Sequence, residues 1–247
     1  MKTIRDEAKL RAIVEQHDLP SLFTEFARYE HALSLVQFDK GEFLYGEKSD
    51  IQHLYFFVEG KLKVCSNLSN GKTYLLRVYT EFEMLGDLEL FNRSNPYTTI
   101  HAVTKSLCIA LALKDTRRLL YQDPVFLRQL AETLCTKLYL SSSNNVLSIL
   151  SPLENRLASY ISVAGARKTG KIILEENLTE LAEQLGTRYR HLQRTLRAFT
   201  EASILHKRKH RYEVADEQRL QALVLDDYLV ASVHTSVNGP DGGDIVN

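Results

Sequence analysis

The sequence predicts an α+β fold with an N-terminal antiparallel β-roll, one long helix and a C-terminal winged helix-turn-helix. Three observations predict it: short alternating apolar segments between turn residues, a later run without Pro or Gly, and two short amphipathic helices followed by a basic hairpin. A length of 247 residues fits two modest domains. We place the roll with its N-terminal helices at residues 1–122, the long helix at 123–150, the winged domain at 151–230 and a disordered, Gly- and Asp-rich tail at 231–247.

The first half of the chain changes from helical to strand spacing at Ala32. Residues 4–29 have apolar side chains at helical spacing, interrupted by Pro20, which predicts two short helices. The predicted strands are residues 31–38, 43–45, 53–58, 61–65, 72–79, 98–103 and 107–111. Asn70-Gly71 between two of them is a strong hairpin signal, and many short strands at this spacing predict an antiparallel roll or barrel.

Residues 84–91 interrupt the strands with helical spacing around Gly86. A Gly followed by a short helix presents free N–H groups, which can hold an anion such as a phosphate. A helical turn that closes one end of the roll explains the same residues equally well.

The predicted long helix begins at Asp123-Pro124, because Pro is tolerated in the first turn of a helix. Its first half carries leucines at spacings of three and four, and residues 141–145 in its second half are polar. A long apolar seam between two domains favours pairing with a second copy of the chain. The residues predicted to form this dimer contact are Leu127, Leu130, Leu134 and Leu138.

The winged domain is predicted from the segments that follow the long helix. They are a hinge at 151–152, a helix at 153–163, a basic loop at 164–171, a strand at 172–174, a helix-turn-helix at 177–196, two short strands around a basic tip within 204–214 and a helix at 218–229. Asn177 is the expected cap of the first helix of the pair, with Glu180 completing a capping box. Gly186 supplies the turn, and Thr187 is the expected cap of the second helix.

Positive charge is concentrated in that second helix and in the basic tip. Between Arg188 and Arg211 the chain has eight Lys or Arg residues against the single acid Glu201, although its overall net charge is +0. A local positive field of this kind is what a DNA-contacting surface requires. The predicted contacts to double-stranded DNA are Thr187, Arg188, Tyr189, Arg190, His191, Arg194, Lys207, Arg208, Lys209 and Arg211. An ordinary helical hairpin with a solvated basic face is the competing interpretation.

Composition and spacing argue against several other classes of protein. No run approaches the ~18 apolar residues of a membrane span, and the start lacks an apolar signal core, so we expect a cytoplasmic protein without a membrane partner. Cys65, Cys108 and Cys135 are odd in number and far apart, which favours buried thiols over a disulfide framework or a metal site. No Ser/His/Asp, Cys/His or carboxylate pair has catalytic spacing, so we do not expect an enzyme.

The order of elements resembles the Crp/Fnr superfamily of bacterial transcription regulators over roughly residues 20–215. The matching motifs are Gly60 after a hairpin strand, Gly-Asp-Leu-Glu-Leu at 86–90 followed by Pro96, the long helix, Asn-Arg-Leu-Ala at 155–158, and Leu-Ala-Glu-Gln-Leu-Gly at 181–186 through Arg194. The resemblance implies a cyclic-nucleotide-binding-like, cupin-like roll that senses a signal, a homodimer through the long helix, and two recognition helices one DNA turn apart on a near-palindrome. It implies base contacts at Tyr189, Arg190 and Arg194, and phosphate contacts at Thr187, Arg188, Lys207 and Arg208.

The resemblance also implies an effector site, from which this sequence departs at two positions. The candidate residues are Gly86, Asp87, Leu88, Glu89, Tyr97, Thr98, Ser141 and Ser142. Members that bind cyclic nucleotides have Arg after the Pro, where this chain has Tyr97, and Glu after the Gly, where it has Asp87. Because a guanidinium is the strongest phosphate partner, we expect an unidentified small-molecule effector other than cyclic AMP, and no cofactor is indicated.

Two alternatives stay open at the level of sequence. The alternative function is a small-molecule or cyclic-nucleotide sensing module whose winged domain serves protein contacts. The loop at 167–171 lies near where activators of the superfamily meet RNA polymerase, although a solvated basic loop explains it as well. Activation and repression are not distinguished.

Overall fold

A computed structural model describes residues 1–45, 51–67, 73–91, 98–168, 170–209 and 211–225, with the backbone alone at 67, 143–145, 148 and 168. Its elements follow the predicted order of a β-roll, a long helix and a winged helix-turn-helix. Three sequence predictions lie outside the described residues: the hairpin at Asn70-Gly71, the side chains of Pro96 and Tyr97, and the tail at 231–247.

Two antiparallel sheets form the roll. Its strands are β1 (Lys2–Ile4), β2 (Leu33–Phe38), β3 (Phe43–Tyr45), β4 (His53–Glu59), β5 (Leu62–Asn67), β6 (Thr73–Tyr79), β7 (Glu83–Leu85), β8 (Thr98–Ala102) and β9 (Ser106–Ala112). One sheet has the order β1-β2-β9-β4-β7 and the other has the order β3-β8-β5-β6. The described strands pair antiparallel throughout, which confirms the predicted roll.

The N-terminal region and the edge strands differ from the prediction. The region has one α-helix, α1 (Glu7–Gln16), followed by 3-10 turns at Leu19–Leu22, Phe26–Arg28 and Glu30–Ala32. Pro20 is the second residue of the first of these turns, and Pro cannot continue an α-helix. Strands β1 and β7 have three residues each, too few for alternation to mark them, and only their pairing with β2 and β4 defines them.

The helix predicted at 84–91 is shorter in the structure. It is α2 (Asp87–Phe91), and residues 84–85 belong to β7 instead. Gly86 separates the two elements with a φ of 89°, a backbone conformation that residues with a Cβ rarely adopt. The predicted change from strand to helix is therefore correct, but it comes three residues later.

The long helix α4 (Pro124–Leu150) follows α3 (Leu113–Leu120) and begins where the sequence predicts. Asp123 caps it by accepting hydrogen bonds from the N–H groups of Val125 and Phe126, each at 3.1 Å. The same carboxylate accepts from the Thr24 hydroxyl at 2.6 Å and the Tyr29 hydroxyl at 3.0 Å. One residue therefore fixes both the start of α4 and the N-terminal turns.

The face of α4 that packs against the roll includes three of the four predicted dimer residues. Leu130 is buried in the core of the roll, and Leu127 and Leu134 are partly buried against that core. Leu138 is 69% exposed. Within one chain, the apolar seam of the first half of α4 thus serves the roll.

The winged domain contains α5 (Leu153–Ala164), β10 (Ala166–Lys168), β11 (Lys171–Leu174), α6 (Leu178–Gln184), α7 (Tyr189–Glu201), β12 (Leu205–Arg208), β13 (Arg211–Val214) and α8 (Glu217–Gln221). Its sheet has the order β10-β11-β13-β12. The basic segment at 164–171, predicted to be a loop, contains β10, which pairs with β11.

The last helix ends earlier than predicted because tertiary hydrogen bonds take over from helical ones. The Asn155 side chain donates to the carbonyl of Leu223 at 3.0 Å, and the N–H of Leu225 donates to the Ser159 hydroxyl at 2.9 Å. Both partners lie on α5. The chain after Gln221 is therefore held against α5 in a non-helical course as far as residue 225.

The hairpin of β5 and β6 is shared between the two domains. Cys65, Leu75 and Val78 belong to the apolar core of the winged domain, which also includes Leu157 and Leu181. The Lys61 ammonium donates to two carbonyls of the winged domain, one of them that of Gly165 at 2.7 Å. One face of a roll hairpin thus forms the contact between the domains. Among the described residues, no helix is long and apolar enough to cross a membrane.

Candidate nucleic-acid interface and effector cavity

Helices α6 and α7 form the predicted helix-turn-helix around Gly186, whose φ is 60°. The Asn177 side chain accepts from the N–H of Thr179 at 2.9 Å, which confirms it as the cap of α6. Glu180 accepts from the Asn177 side-chain amide at 3.3 Å, so the capping pair joins two side chains rather than Glu180 and the backbone. The predicted cap at Thr187 is wrong, because α7 begins only at Tyr189 and its cap residue, Arg188, makes no side-chain cap bond.

The second helix, α7, has one buried and one cationic face. Leu192, Leu196 and Phe199 are buried in the core of the winged domain, as their spacing predicts. The opposite face exposes Arg188, Tyr189, Arg190, His191 and Arg194. Within this face the Gln193 amide donates to the Tyr189 hydroxyl at 2.8 Å, and Thr187 lies beside it, 3.4 Å from the His191 ring.

The basic tip lies between β12 and β13, whose register pairs Arg208 with Arg211. Glu213 accepts from Arg211 at 2.8 Å and from Arg208 at 3.4 Å, and these two arginines hold the pKa of Glu213 below its ordinary value. Lys207 and Lys209 are exposed. They have no ion-pair partner within the part of the chain that the structure describes. The two lysines are therefore freer to contact phosphates than the two arginines.

Arg188, Arg190 and Arg194 are also without an intrachain carboxylate partner among the described residues. Arg197, one turn further along α7, is bound to Glu201 at 2.8 Å. Arg190 and Arg194, four residues apart, thus lie on one exposed face of α7, and among the described residues their guanidinium groups have no carboxylate partner. Such groups can donate to phosphates and, bidentately, to guanine edges.

A cavity of about 400 Å³ lies between the roll and α4. Its wall is formed by Tyr45, Val64, Leu76, Arg77, Tyr79, Leu85, Asp87, Leu88, Glu89, Thr98, Ile100, Leu134, Lys137, Leu138 and Ser141. Five of the predicted effector residues are in this wall, namely Asp87, Leu88, Glu89, Thr98 and Ser141. Gly86 directly precedes α2, and Ser142 is exposed with its hydroxyl donating to the Leu138 carbonyl at 3.0 Å.

The carboxylates of the cavity are already bound within the chain. Lys137 donates to Asp87 at 2.8 Å and lies 3.4 Å from Glu83. Burial alone would lower the pKa of Lys137, but the neighbouring Tyr79, Asp87 and Glu83 outweigh it, and the net shift is upward. Glu89 accepts from the hydroxyls of Tyr45 and Thr98, each at 3.3 Å, and burial, followed by the charge of Asp87, raises its pKa.

The two cations of the cavity, Arg77 and Lys137, were not among the residues predicted from the sequence to line it. Lys137 lies three residues after Leu134 and four before Ser141, so it belongs to the inward face of α4. Arg77 shares its side of β6 with Tyr79, another residue of the cavity wall. A charged residue at an inward position of an otherwise apolar pattern was the signal available for both.

Two matches to known families cover both domains. Residues 35–123 match the cyclic nucleotide-binding domain, and residues 155–223 match the Crp-like helix-turn-helix domain. The regulatory protein YeiL of Escherichia coli O157:H7 is 30% identical over 196 residues, which are 78% of this chain and 86% of YeiL. The chain belongs to the Crp/Fnr family of transcription regulators.

More distant members agree with this assignment. A CRP-like cAMP-activated global transcriptional regulator of Mycobacterium tuberculosis is 21% identical over 221 residues, covering 87% of this chain and 97% of that protein. The crystal structure of a CRP/FNR-family transcriptional regulator from Thermus thermophilus shares the fold, with a TM-score of 0.61 at 20% identity over 76% of this chain and 97% of that one.

Membership of the Crp/Fnr family decides between the functions that the sequence left open. Members are transcription regulators that bind DNA through the helix-turn-helix, not enzymes. The competing interpretation of α6 and α7 as an ordinary solvated hairpin is therefore excluded. Helices α6 and α7 are therefore the DNA-binding helix-turn-helix of a Crp/Fnr regulator.

Proposed function

We propose that this regulator acts in the cytoplasm as a homodimer on a near-palindromic operator, with its roll sensing a small molecule other than cyclic AMP. The observation that carries the proposal is the exposed cationic face of α7 beside a basic tip. A two-fold related copy would present a second such face about 34–36 Å away, which is one turn of DNA. Where the regulator activates, RNA polymerase would meet the exposed residues Arg167, Gly170 and Lys171 at the end of the β10–β11 pair.

The second half of α4 supports the homodimer. Large apolar side chains there are exposed in the single chain, and they recur at helical spacing beyond the roll: Leu138, Tyr139, Val146, Ile149 and Leu150. Ile149 is 81% exposed. An exposed apolar stripe of this length on one helix is typical of a surface that another copy covers. We therefore extend the predicted dimer contact from Leu138 toward the carboxyl end of α4.

Cys135 offers a direct test of this dimer. The prediction of a buried thiol is wrong for Cys135, which is exposed on α4, three residues before Leu138 and therefore on the same stripe. Cys65 and Cys108 are buried, and burial raises the pKa of the Cys65 thiol to about 11 and that of the Cys108 thiol to about 12. In a parallel two-fold pair, equivalent seam residues face each other, so mild oxidation should link Cys135 to its copy.

The measurement is non-reducing electrophoresis of the oxidised protein beside its mass by light scattering. We expect a covalent dimer for the parent and none for Cys135→Ser, with a dimeric mass for both. Cys108→Ala is the matched control and should still cross-link. A monomeric mass at micromolar concentration would exclude the proposed homodimer.

The assignment of base-reading residues is tested on DNA selected from a random pool. Arg190→Ala and Arg194→Ala should each weaken binding by about 1 to 3 kcal/mol and relax the preference at one base pair. Lys207→Ala should weaken binding to all sequences alike and lower the dependence on salt by about one phosphate contact.

Arg219→Ala is the matched control, because Arg219 is exposed in the same domain but lies on α8 beside Asp216. It should bind the selected site within twofold of the parent. The assignment of Arg190 and Arg194 as base-contacting residues is refuted if the double variant, with both changed to Ala, binds that site as tightly as the parent at physiological salt.

A further inference from the structure

Within the described part of the chain, one cation of the cavity wall, Arg77, has no bonded partner. Arg77 is 5% exposed and lines the cavity from β6. Among the described residues its guanidinium has no ion-pair or hydrogen-bond partner, and the nearest ring, that of Tyr79, lies 6.0 Å from its central carbon. A buried, unpaired charge is costly, and pairing with an anion removes that cost.

The carboxylates of the wall are bonded to groups other than Arg77. Asp87 is bound by Lys137 at 2.8 Å. Glu89 accepts from the hydroxyls of Tyr45 and Thr98, and burial raises its pKa. Among the described residues, none of these carboxylates bonds to the Arg77 guanidinium, so this group is available to an anionic ligand.

The rest of the wall is mostly aliphatic. It includes Val64, Leu76, Leu85, Ile100, Leu134 and Leu138. The polar groups Asp87, Glu89 and Thr98 already bond within the chain, so few are left for the ribose and base of a nucleotide. A ligand that fits this surface has one anionic group and an apolar body.

We propose that the effector is a small organic acid, whose carboxylate or equivalent monoanion pairs with Arg77 while its apolar body fills the space between β5, β6 and α4. A guanidinium can hold a carboxylate through two parallel hydrogen bonds, which gives both affinity and orientation. This inference rests on the proposed sensing role of the roll, but it does not depend on DNA binding.

Calorimetry of the full-length protein without DNA tests the inference with two acids and their neutral counterparts. The pairs are octanoate with 1-octanol and 2-naphthoate with 2-naphthalenemethanol. We expect at least one acid to bind about tenfold or more tightly than its alcohol, since a hydrogen bond to a charged group is worth that much. Arg77→Met should remove this preference and leave alcohol binding unchanged or stronger.

Two further measurements separate ligand recognition from folding. Arg77→Met should raise the melting temperature of the ligand-free protein, because it removes an unpaired buried charge, whereas loss of a structural contact would lower it. Arg118→Met, at an exposed position of α3, is the matched control and should bind the acid as the parent does.

Three results would overturn the inference: neither acid binds at millimolar concentration, acid and alcohol bind equally, or cyclic AMP binds with an affinity that Arg77→Met does not change. Failure of the proposed regulator is a separate result, seen as loss of DNA binding in a protein that still binds the acid through Arg77.

Discussion

Lys63, which is buried, and Lys137, which is largely buried, have similar surroundings and join different parts of the molecule. Lys63 donates to Glu176 at 2.7 Å and to Gln184 at 3.2 Å, and lies 4.9 Å from the centre of the Tyr160 ring. Lys137 likewise has a carboxylate, a backbone carbonyl and an aromatic ring around its ammonium group. Lys63 joins β5 to the winged domain, whereas Lys137 joins α4 to the wall of the cavity.

The difference shows how the cavity and the DNA-binding domain are connected. Side chains of successive strand residues point to opposite faces of a sheet. On β5, Lys63 and Cys65 face the winged domain, and Val64 between them lines the cavity. A ligand that shifts β5 from the cavity side therefore shifts the strand that holds the winged domain.

The largest effect is expected for Lys137→Met. The change leaves Asp87 and Glu83, which are both largely buried, without a counter-charge. Loss of one partner from a buried ion pair costs about 3 to 5 kcal/mol, so we expect the free energy of unfolding to fall by about 4 kcal/mol in urea denaturation. Lys114→Met, at an exposed position of α3, is the control and should stay within about 0.5 kcal/mol of the parent.

Lys63→Met should lower the free energy of unfolding by about 2 to 3 kcal/mol, which is less than Lys137→Met. The reason is that Glu176 still accepts a hydrogen bond from the Tyr160 hydroxyl at 2.5 Å. The loss should appear as separate melting of the two domains in scanning calorimetry. Lys61→Met is the matched variant, since Lys61 reaches the same domain but binds only neutral carbonyls, and it should cost about half as much. Equal losses from the two variants would contradict the importance of the charge pair.

Asp123 is a buried carboxylate held by neutral donors instead of a lysine. Burial by itself would raise the pKa of Asp123, but hydrogen bonds from Thr24, Phe126 and Tyr29 outweigh it and lower the pKa. A carboxyl with a lowered folded pKa adds stability above its unfolded pKa of about 4, and this contribution is lost as the pH falls through the folded value.

Asp123→Asn should therefore cost about 1 to 2 kcal/mol at pH 7, because one amide oxygen cannot serve all these donors. The difference from the parent should shrink below about pH 4, as measured by urea denaturation over pH 3 to 7. A difference that stays constant over this range would show that the charge of Asp123 does not contribute. Asp6→Asn, the equivalent change at the exposed cap of α1, should have little effect.

The periodic helices and strands were easier to predict from the sequence than the long-range contacts of Lys63, Lys137 and Asp123. Leu192, Leu196 and Phe199 are three and four residues apart on one helix, so their common burial follows from spacing alone. Lys63 and Glu176 are 113 positions apart, and Lys137 and Asp87 are 50 apart. Spacing within an element cannot show which distant charges the fold brings together.

The same reason explains the errors at element ends. The early end of α8 depends on α5, and β7 exists only through its pairing with β4. For the candidate site, the exposed cations of α7 were predictable because they are local to one helix. The unpaired guanidinium of Arg77 was not predictable, because it depends on the partners that Asp87 and Glu89 find elsewhere in the chain.

The smallest effect on stability is expected at Glu213, whose two arginine partners are exposed. The side chains of Arg208 and Arg211 are 62% and 43% exposed, and exposed pairs contribute about 0 to 1 kcal/mol. Glu213→Gln should therefore hardly change the free energy of unfolding. It should raise affinity for any duplex a few-fold and steepen the salt dependence, because it removes a negative charge and frees two arginines for phosphates. Fluorescence anisotropy over a salt series measures both quantities. An unchanged salt slope would place Arg208 and Arg211 outside the DNA contact and leave Lys207 and Lys209 as the phosphate-binding residues of the tip.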